Sequence, residues 1–375
     1  MTDNPELFAA VIPGLEGVLE RELRKLGAPA IRKTSGGVAF AGGLEWIYRS
    51  NLHLRTASRV LLRVASFYAE NLKDLARSAG QIPWESFLNP ALPVIVKVSS
   101  KRSRVKHTGA VEERFRAAIS KNFKLNESVP GEHGSQLMIR LNKNLCTVSL
   151  DTSGPLLHQR GYRQNLAKAP LRENLAAGIL ESAGWTGAEG FVDPMCGSGT
   201  LAIEAALLAA GIAPGLGRDF AFMSQPHFDE SLWTRIRDEA SEARIRPLSP
   251  IAASDRDAGA VAATRENAER AGVLDFIDIE HGSLSAARPP CPRGLWLSNP
   301  PYGKRIGQKN RLRDLYAAVG NVVRAHFSNW NIGLVSTDKI LIGHTQLGMK
   351  TATPFLPHGG LKVQLFFSAP SNSEL

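Results

Sequence analysis

Residues 191–200, FVDPMCGSGT, join a short apolar strand to a glycine turn and to a long apolar helix that begins near Thr200. An open α/β sheet binds its ligands at strand ends of this kind. Gly197 and Gly199 allow the backbone to turn sharply and let a ligand approach without meeting a Cβ atom. The helix that follows presents free N–H groups and the positive end of its dipole to an anionic group. The turn alone does not distinguish one nucleotide cofactor from another.

The sequence on both sides of this turn predicts a doubly wound, mostly parallel α/β sheet. From Ala169 onward strands and helices alternate regularly, as crossover units in a parallel sheet require. A segment at 213–247, with its own helix near 230–243, is interpreted as an insertion. The later strands are predicted at 251–255, 276–281, 295–298, 332–336 and 363–368, with a helix at 259–271.

The first 165 residues have a different character, that of small mixed α+β units. Their patterns predict strands at 7–11, 36–40, 59–67, 94–99, 137–141 and 145–150, and helices at 14–26, 44–55 and 109–123. They hold 24 Lys and Arg against 14 Asp and Glu, whereas the rest of the chain holds 21 of each, so all of the +10 surplus lies here. A field of this kind suits a polyanion such as nucleic acid. A solvated basic face explains it equally well.

The segment Ser254-Asp255-Arg256-Asp257 closes the next predicted strand with an acid. Asp255 can accept hydrogen bonds from both ribose hydroxyls of an adenosine. An equally good interpretation is that Asp255 caps the following helix. For Asp257 we favour the capping role.

The motif Ser298-Asn299-Pro300-Pro301-Tyr302-Gly303 follows the fourth strand and has the most specific chemistry. Two consecutive prolines fix a rigid bend without N–H groups. The Asn299 amide oxygen and the Pro300 carbonyl are then left to accept hydrogen bonds from an amino group on a planar ring. Held in this way, the amine directs its lone pair at a methyl donor, and Tyr302 can stack on the ring. A turn-initiating Asn-Pro pair is the plain structural alternative.

Together, DPMCGSGT, SDRD and SNPPYG resemble the motifs of class I methyltransferases that modify amino groups of RNA bases. Segments 150–154, 157–163 and 169–173 resemble the junction between a THUMP domain and its methyltransferase domain. Over nearly the whole chain, the resemblance is strongest to the N-terminal half of the bacterial guanine-N2 methyltransferases of 23S ribosomal RNA. It implies a ferredoxin-like unit at 1–55, a THUMP domain at 56–152, a linker at 153–168 and a Rossmann-like methyltransferase domain at 169–375.

The resemblance also implies the site residues by position. The target base would be gripped by the catalytic residues Asn299, Pro300, Pro301 and Tyr302. S-adenosyl-L-methionine would be bound by Arg172, Asp193, Pro194, Met195, Cys196, Gly197, Ser198, Gly199, Thr200, Asp255, Arg256, Ser283 and Asn299. In one departure, the family's acid that contacts the adenine amine is replaced by Ser283, which can still accept a hydrogen bond. Cys196 is interpreted as a small filler and not as a nucleophile.

RNA is the expected partner of the basic half, by contacts to phosphates and shape. The candidate contacts are Lys97, Lys101, Arg102, Arg104, Lys106, Arg160, Arg163 and Lys168, each of which is equally well explained as solvated surface. Tyr162, in the same junction, is expected to pack and not to stack on a base.

Composition excludes several other classes of protein. The three cysteines form no CxxC pair and the nine histidines show no HExxH spacing, so we expect neither a disulfide framework nor a metal. The start of the chain lacks a basic-then-apolar leader, and no run of about 18 apolar residues occurs. We therefore expect a cytoplasmic protein without a membrane partner, and a monomer is favoured.

The resemblance implies methylation of the exocyclic N2 amine of a guanosine in RNA, with 23S ribosomal RNA favoured over tRNA. DNA adenine methyltransferases and enzymes that methylate a glutamine amide of proteins also carry NPPY, although neither class needs a THUMP-like module. A non-catalytic RNA-binding assembly factor is a further alternative, against which the intact motifs argue.

Overall fold

The structure is a computed structural model that describes residues 5–121, 134–164, 171–302 and 309–370. It divides into two compact units. The first comprises residues 1–11, 20–157 and 218–238, and the second comprises residues 12–19, 158–217 and 239–375.

The first unit is built on one seven-stranded sheet with the order β2-β3-β1-β4-β7-β6-β5. All neighbouring strands are antiparallel except β5 and β6, which are parallel. The elements of this region are β1 (Glu6–Val11), α1 (Glu16–Lys25), β2 (Arg32–Thr34), β3 (Gly37–Ala41), α2 (Leu44–His53), β4 (Ala57–Tyr68), α3 (Leu72–Ala79), β5 (Val94–Lys101), α4 (Thr108–Ser120), β6 (Ser135–Asn142) and β7 (Leu145–Asp151).

The twelve-residue strand β4 makes this sheet continuous. Its first half pairs with β1, and its second half pairs with β7 in a register that runs from Leu61 opposite Asp151 to Tyr68 opposite Leu145. The strands expected in separate ferredoxin-like and THUMP regions therefore share one hydrogen-bonded sheet. The predicted strands at 137–141 and 145–150 form a hairpin, and Lys143 and Asn144 in its turn both have positive φ, as the twist of a tight hairpin demands.

Two elements of this unit were not expected from the sequence. The three-residue strand β2 pairs only with β3 at the edge of the sheet. Helix α3 begins after Asn71, whose side chain accepts hydrogen bonds from the backbone N–H groups of Lys73 and Asp74. Both elements are too short to show a clear period in the sequence.

Residues 218–238 belong to the first unit although they lie within the predicted methyltransferase range. Aromatic packing explains this placement. The ring of Phe222 lies 4.5 Å from that of Tyr48 in α2, and Trp233 meets both rings edge-on. The backbone N–H of Asp229 also donates a hydrogen bond of 2.8 Å to the Tyr48 hydroxyl.

The second unit contains the predicted doubly wound sheet, in the order β10-β9-β8-β11-β12-β15-β13, with β14 paired to β15. The strands β10, β9, β8, β11 and β12 are parallel, and β15 is antiparallel to its neighbours. The elements of the remaining chain are α5 (Glu173–Ser182), β8 (Gly190–Asp193), α6 (Thr200–Ala209), α7 (Glu230–Glu242), β9 (Ile251–Asp255), α8 (Ala258–Arg270), β10 (Asp278–His281), β11 (Gly294–Ser298), α9 (Lys309–His326), β12 (Asn331–Ser336), α10 (Lys339–Gly343), β13 (Lys350–Thr351), β14 (Leu356–His358) and β15 (Leu361–Ser368).

The strand order reverses between β8 and β11, because the chain runs outward through β9 and β10 before it returns to β11. Open α/β sheets bind ligands at such a switch point. The strand predicted at 276–281 begins two residues later than expected, because Phe276 lies in a short 3-10 turn and β10 begins at Asp278. No helix in the described part of the chain is long and apolar enough to cross a membrane.

Candidate cofactor and amine-binding site

The three sequence motifs meet at the carboxyl ends of β8, β9 and β11. Asp255 at the end of β9 accepts a hydrogen bond of 3.0 Å from the backbone N–H of Gly197. Ser298 at the end of β11 donates one of 2.8 Å to Asp193 at the end of β8. Motifs that lie about 100 residues apart in sequence therefore form one site at the switch point of the sheet.

The glycine turn takes the backbone conformation that its sequence predicts. Gly197 and Gly199 have φ values of +57° and +82°, in the left-handed region that favours glycine. A Cβ atom on Gly199 would lie 2.6 Å from the Cγ2 atom of Thr264. The turn therefore requires glycine at this position both for its backbone and for its packing against α8.

Helix α8 holds the turn by side chains that sequence reasoning missed. The Thr264 hydroxyl donates to the Gly197 carbonyl at 2.9 Å, and the Asn267 amide donates to the Ser198 carbonyl at 3.0 Å. Both side chains are fully buried. The only sequence signal was two polar residues three apart on the face of α8 that packs against the sheet.

The start of α6 has no side-chain cap. Gly199 at its N-cap offers no side-chain bond to the first-turn N–H groups. The Ser198 hydroxyl oxygen is buried and has no hydrogen-bond partner among the residues that the structure describes. A carboxylate fits such a helix start, because the free N–H groups and the dipole both favour negative charge. The turn therefore fits the methionine end of S-adenosylmethionine.

Asp255 is not the N-cap of α8, so that alternative is wrong, and its role as a ribose ligand stays a prediction. Asp257 caps that helix, with its carboxylate accepting from the N–H groups of Gly259 and Ala260. Asp255 instead uses its Oδ1 atom to accept from the Asp257 N–H at 3.0 Å and its Oδ2 atom to accept from Gly197. Asp255 therefore stands between the glycine turn and the start of α8.

Asp193 is almost completely buried behind the turn. Its Oδ1 atom accepts from the Ser298 hydroxyl and, at 3.2 Å, from the backbone N–H of Met195. Burial raises the pKa of Asp193 to about 7, because removal from water disfavours the charged form. Burial likewise raises the pKa of Cys196, which agrees with the interpretation of this residue as a filler.

At the NPPY bend the Asn299 side chain is half-buried. Its Oδ1 atom is buried and has no hydrogen-bond partner in the part of the chain that the structure describes. A buried acceptor of this kind costs about 1–3 kcal/mol, which a ligand N–H would recover. Burial raises the pKa of Tyr302 to about 12, so its ring remains a neutral phenol near neutral pH.

Three further candidate residues lie at the edges of this region. Arg172 is exposed at the N-cap of α5. The Arg256 carbonyl lies 3.1 Å from the His281 Nε2 atom. The Ser283 hydroxyl lies 2.9 Å from that of Ser285, and the preceding Gly282 N–H donates to the Asp255 carbonyl at 3.0 Å. Their contacts with a cofactor stay predictions.

The predicted RNA contact of Arg160 is wrong, and the side chain of Arg163 is only slightly exposed. The Arg160 side chain is 3% exposed and forms an ion pair of 3.4 Å with Glu204, so it cannot reach a phosphate. Arg163 is 15% exposed and binds Glu173 and the Leu171 carbonyl. Tyr162 is buried, which confirms that it packs.

The other basic candidates remain open to solvent. Their side chains are exposed along β5 and the loop after it: Lys97, Lys101, Arg102, Arg104 and Lys106. Of these, Arg104 forms an ion pair with Glu70. Lys168, Ala169 and Pro170 lie outside the described residues. Within the described ranges, no three His, Cys, Asp or Glu side chains cluster as metal ligands would.

The fold and the site together define a class I methyltransferase, and comparisons with known proteins give the family. Residues 160–351 match the family model "RMKL-like, methyltransferase domain", and residues 6–61 match the model "RlmL ferredoxin-like domain". The chain therefore belongs to the RMKL-like methyltransferase family.

Two curated relatives illustrate the range of the family. The ribosomal RNA large subunit methyltransferase K/L of Syntrophotalea carbinolica is 39% identical over 363 residues, which cover 91% of this chain and 50% of that protein. A protein of Synechocystis provisionally named as an RNA methyltransferase is 34% identical, with 96% of this chain and 95% of that protein covered. The chain thus spans about half the length of the K/L relatives that it matches.

Solved structures agree along the whole chain. SMU.472, provisionally called a methyltransferase and solved with S-adenosylhomocysteine, is 32% identical with a TM-score of 0.87 and covers 99% of this chain and 100% of its own. A structure provisionally called a methylase, from Clostridium difficile, is 30% identical with a TM-score of 0.89 and covers 98% of this chain and 99% of its own.

Proposed function

We propose that this protein transfers the methyl group of S-adenosylmethionine to the exocyclic N2 amine of a guanosine in RNA, with 23S ribosomal RNA as the favoured substrate and tRNA as the second. The observation that carries the proposal is the buried Oδ1 atom of Asn299, which lies at the strand end beside Asp193 and has no hydrogen-bond partner among the described residues. The K/L relatives support ribosomal RNA by their names, although this chain spans half of their length.

The cofactor is held by the residues around the glycine turn. The uncapped start of α6 binds the methionine carboxylate, and Asp255 accepts hydrogen bonds from the ribose. When bound, S-adenosylmethionine supplies an electrophilic methyl group. Asp193 lies behind the turn and ties it to β11 through Ser298, which fixes the distance between the cofactor and the NPPY bend.

The target base is held at the NPPY bend. The Asn299 Oδ1 atom and the Pro300 carbonyl accept hydrogen bonds from the two N–H groups of the amine, and Tyr302 stacks on the ring. These contacts require the nucleotide to leave its stack in the RNA. After transfer the amine loses its extra proton to solvent, so the residues act by positioning and not as a base.

The exposed basic side chains of the first unit supply the contacts to RNA. Lys97, Lys101, Arg102 and Lys106 are exposed on β5 and the loop that follows it. Contacts of this kind bind phosphates without reading sequence, so recognition by shape is expected. The THUMP role of residues 56–152 is part of this proposal.

The direct test is transfer of isotope-labelled methyl from S-adenosylmethionine to nucleic acid from a strain that lacks the gene. Separate reactions contain 23S ribosomal RNA, tRNA, DNA and total protein, and nucleosides are identified by mass spectrometry. We expect N2-methylguanosine in 23S RNA, missing from RNA of the deletion strain and present in its parent. Label found in N6-methyladenosine of DNA or in protein would contradict the proposal.

A further inference from the structure

The junction segment 160–163, which contains the candidate RNA contacts Arg160 and Arg163, is joined to the glycine turn by a series of hydrogen bonds through α8. The Tyr162 carbonyl accepts a bond of 2.8 Å from the Nε atom of Arg270. The Nη2 atom of Arg270 donates to the Oδ1 atom of Asn267 at 2.6 Å. The Asn267 amide in turn donates to the Ser198 carbonyl at 3.0 Å.

The hydrogen bond from Arg270 fixes the orientation of the Asn267 side-chain amide. A guanidinium has only donors, so the Asn267 side chain must turn its oxygen towards Arg270. Its amide nitrogen then faces Ser198, where it holds the carbonyl of the glycine turn. Asn267 lies three residues from both Thr264 and Arg270 and is therefore a neighbour of each on the surface of α8.

The same junction segment is also fixed to α6, the helix that begins at the glycine turn. The Tyr162 hydroxyl donates to the Oε1 atom of Glu204 at 3.1 Å, and Arg160 forms its ion pair with that carboxylate. All three side chains are buried. Removal of Arg160 or Tyr162 would leave Glu204 with fewer partners in the interior, which is costly for a charge. These contacts hold segment 160–163 in place against α6.

We propose that Arg270 and Asn267 are positioning residues that hold the glycine turn in its cofactor-binding geometry by bracing the Ser198 carbonyl against segment 160–163. The inference deepens the proposed function and rests on it, since the turn is taken to bind S-adenosylmethionine. It assigns a role to two residues of α8 that lie outside the sequence motifs, and it gives the junction motif a part in cofactor binding.

The test measures cofactor binding by the full chain. Calorimetric titration with S-adenosylhomocysteine should show a Kd raised about tenfold in Arg270→Ala, since the amide of Asn267 loses its orientation. Asn267→Asp keeps the acceptor for Arg270 but places an oxygen against the Ser198 carbonyl, so its Kd should rise at least as far. The double variant should bind no more weakly than Asn267→Asp alone, because the two residues act in one chain.

The matched control is Arg244→Ala. Arg244 also donates to a backbone carbonyl near the end of α8, that of Gly272 at 2.8 Å, but it does not lead to the glycine turn. This variant should keep the Kd of the natural chain. In methyl-transfer assays, Arg270→Ala should raise the KM for S-adenosylmethionine and leave kcat and the KM for RNA nearly unchanged.

Three outcomes decide the matter. An unchanged Kd in a folded Arg270→Ala or Asn267→Asp variant overturns the inference, as does a fall in melting temperature and kcat with an unchanged KM for the cofactor. If Arg270→Ala does not fold, the Asn267→Asp measurement decides alone. A natural chain that does not bind S-adenosylhomocysteine would overturn the proposed function itself, which separates the two failures.

Discussion

Replacement of Asn299 by alanine should separate activity from stability. The Oδ1 atom of Asn299 is buried without a partner among the described residues, a situation that costs the free protein about 1–3 kcal/mol. Asn299→Ala removes that cost together with part of the side-chain packing. We therefore expect the free energy of unfolding to stay the same or to rise slightly, in contrast to most substitutions at half-buried positions.

The same replacement should reduce turnover strongly. The N–H of the target amine would lose its acceptor in the closed site, and leaving such a donor unpaired costs about 1–3 kcal/mol. Because 1.36 kcal/mol is a factor of ten in rate, kcat should fall about 5- to 150-fold. Loss of the correct orientation of the amine would add to this effect.

The assay combines three measurements on Asn299→Ala and on the natural chain. Methyl transfer to RNA gives kcat, titration with S-adenosylhomocysteine gives cofactor affinity, and urea denaturation gives the free energy of unfolding. The expected pattern is a loss of kcat with cofactor affinity and stability retained. Parallel losses in all three would refute the reasoning, because Asn299 would then be a scaffold residue.

Four further predictions concern the glycine turn, its buried acid and two basic side chains. Gly199→Ala should weaken cofactor binding and lower the free energy of unfolding by about 1–3 kcal/mol, because alanine is strained at φ +82° and its Cβ would overlap Thr264; titration and denaturation measure the two effects. Since burial raises the pKa of Asp193 from 3.8 to about 7, the folded state binds more protons between these values, and its stability should fall as pH rises from about 4 to 7. Asp193→Asn should flatten the curve of unfolding free energy against pH in this range. An unchanged slope would contradict the raised pKa of Asp193. Arg160→Ala should cost about 3–5 kcal/mol of unfolding free energy, because it strands the buried Glu204. Lys101→Ala should leave stability unaltered but reduce the salt dependence of RNA binding by about one ion, and a salt slope equal to that of the natural chain would remove Lys101 from the interface.

The sequence by itself determined the fold class and the location of the site. Alternating strands and helices after residue 169 predicted the parallel sheet, and the glycine turn and NPPY motif marked two strand ends that meet in it. These features are local, since the period of a strand, a left-handed glycine and a double proline each act within a few residues.

Only the tertiary structure decided which partners those motifs have. Thr264 and Asn267 hold the glycine turn from 67 and 69 positions away in the sequence, and no local pattern reveals such a pairing. The capping role favoured for Asp257 is confirmed, whereas only the structure excludes Asp255 as the cap, because its carboxylate accepts from the N–H groups of Asp257 and Gly197 instead.

The charge of a residue also did not determine its role. Arg160 and Lys101 are both basic and both were considered as RNA contacts, yet one is buried against Glu204 and the other is exposed. Burial depends on the packing of elements distant in sequence, here the junction segment against α6. A sequence records which side chains are charged, whereas only the folded chain fixes which of those charges water can reach.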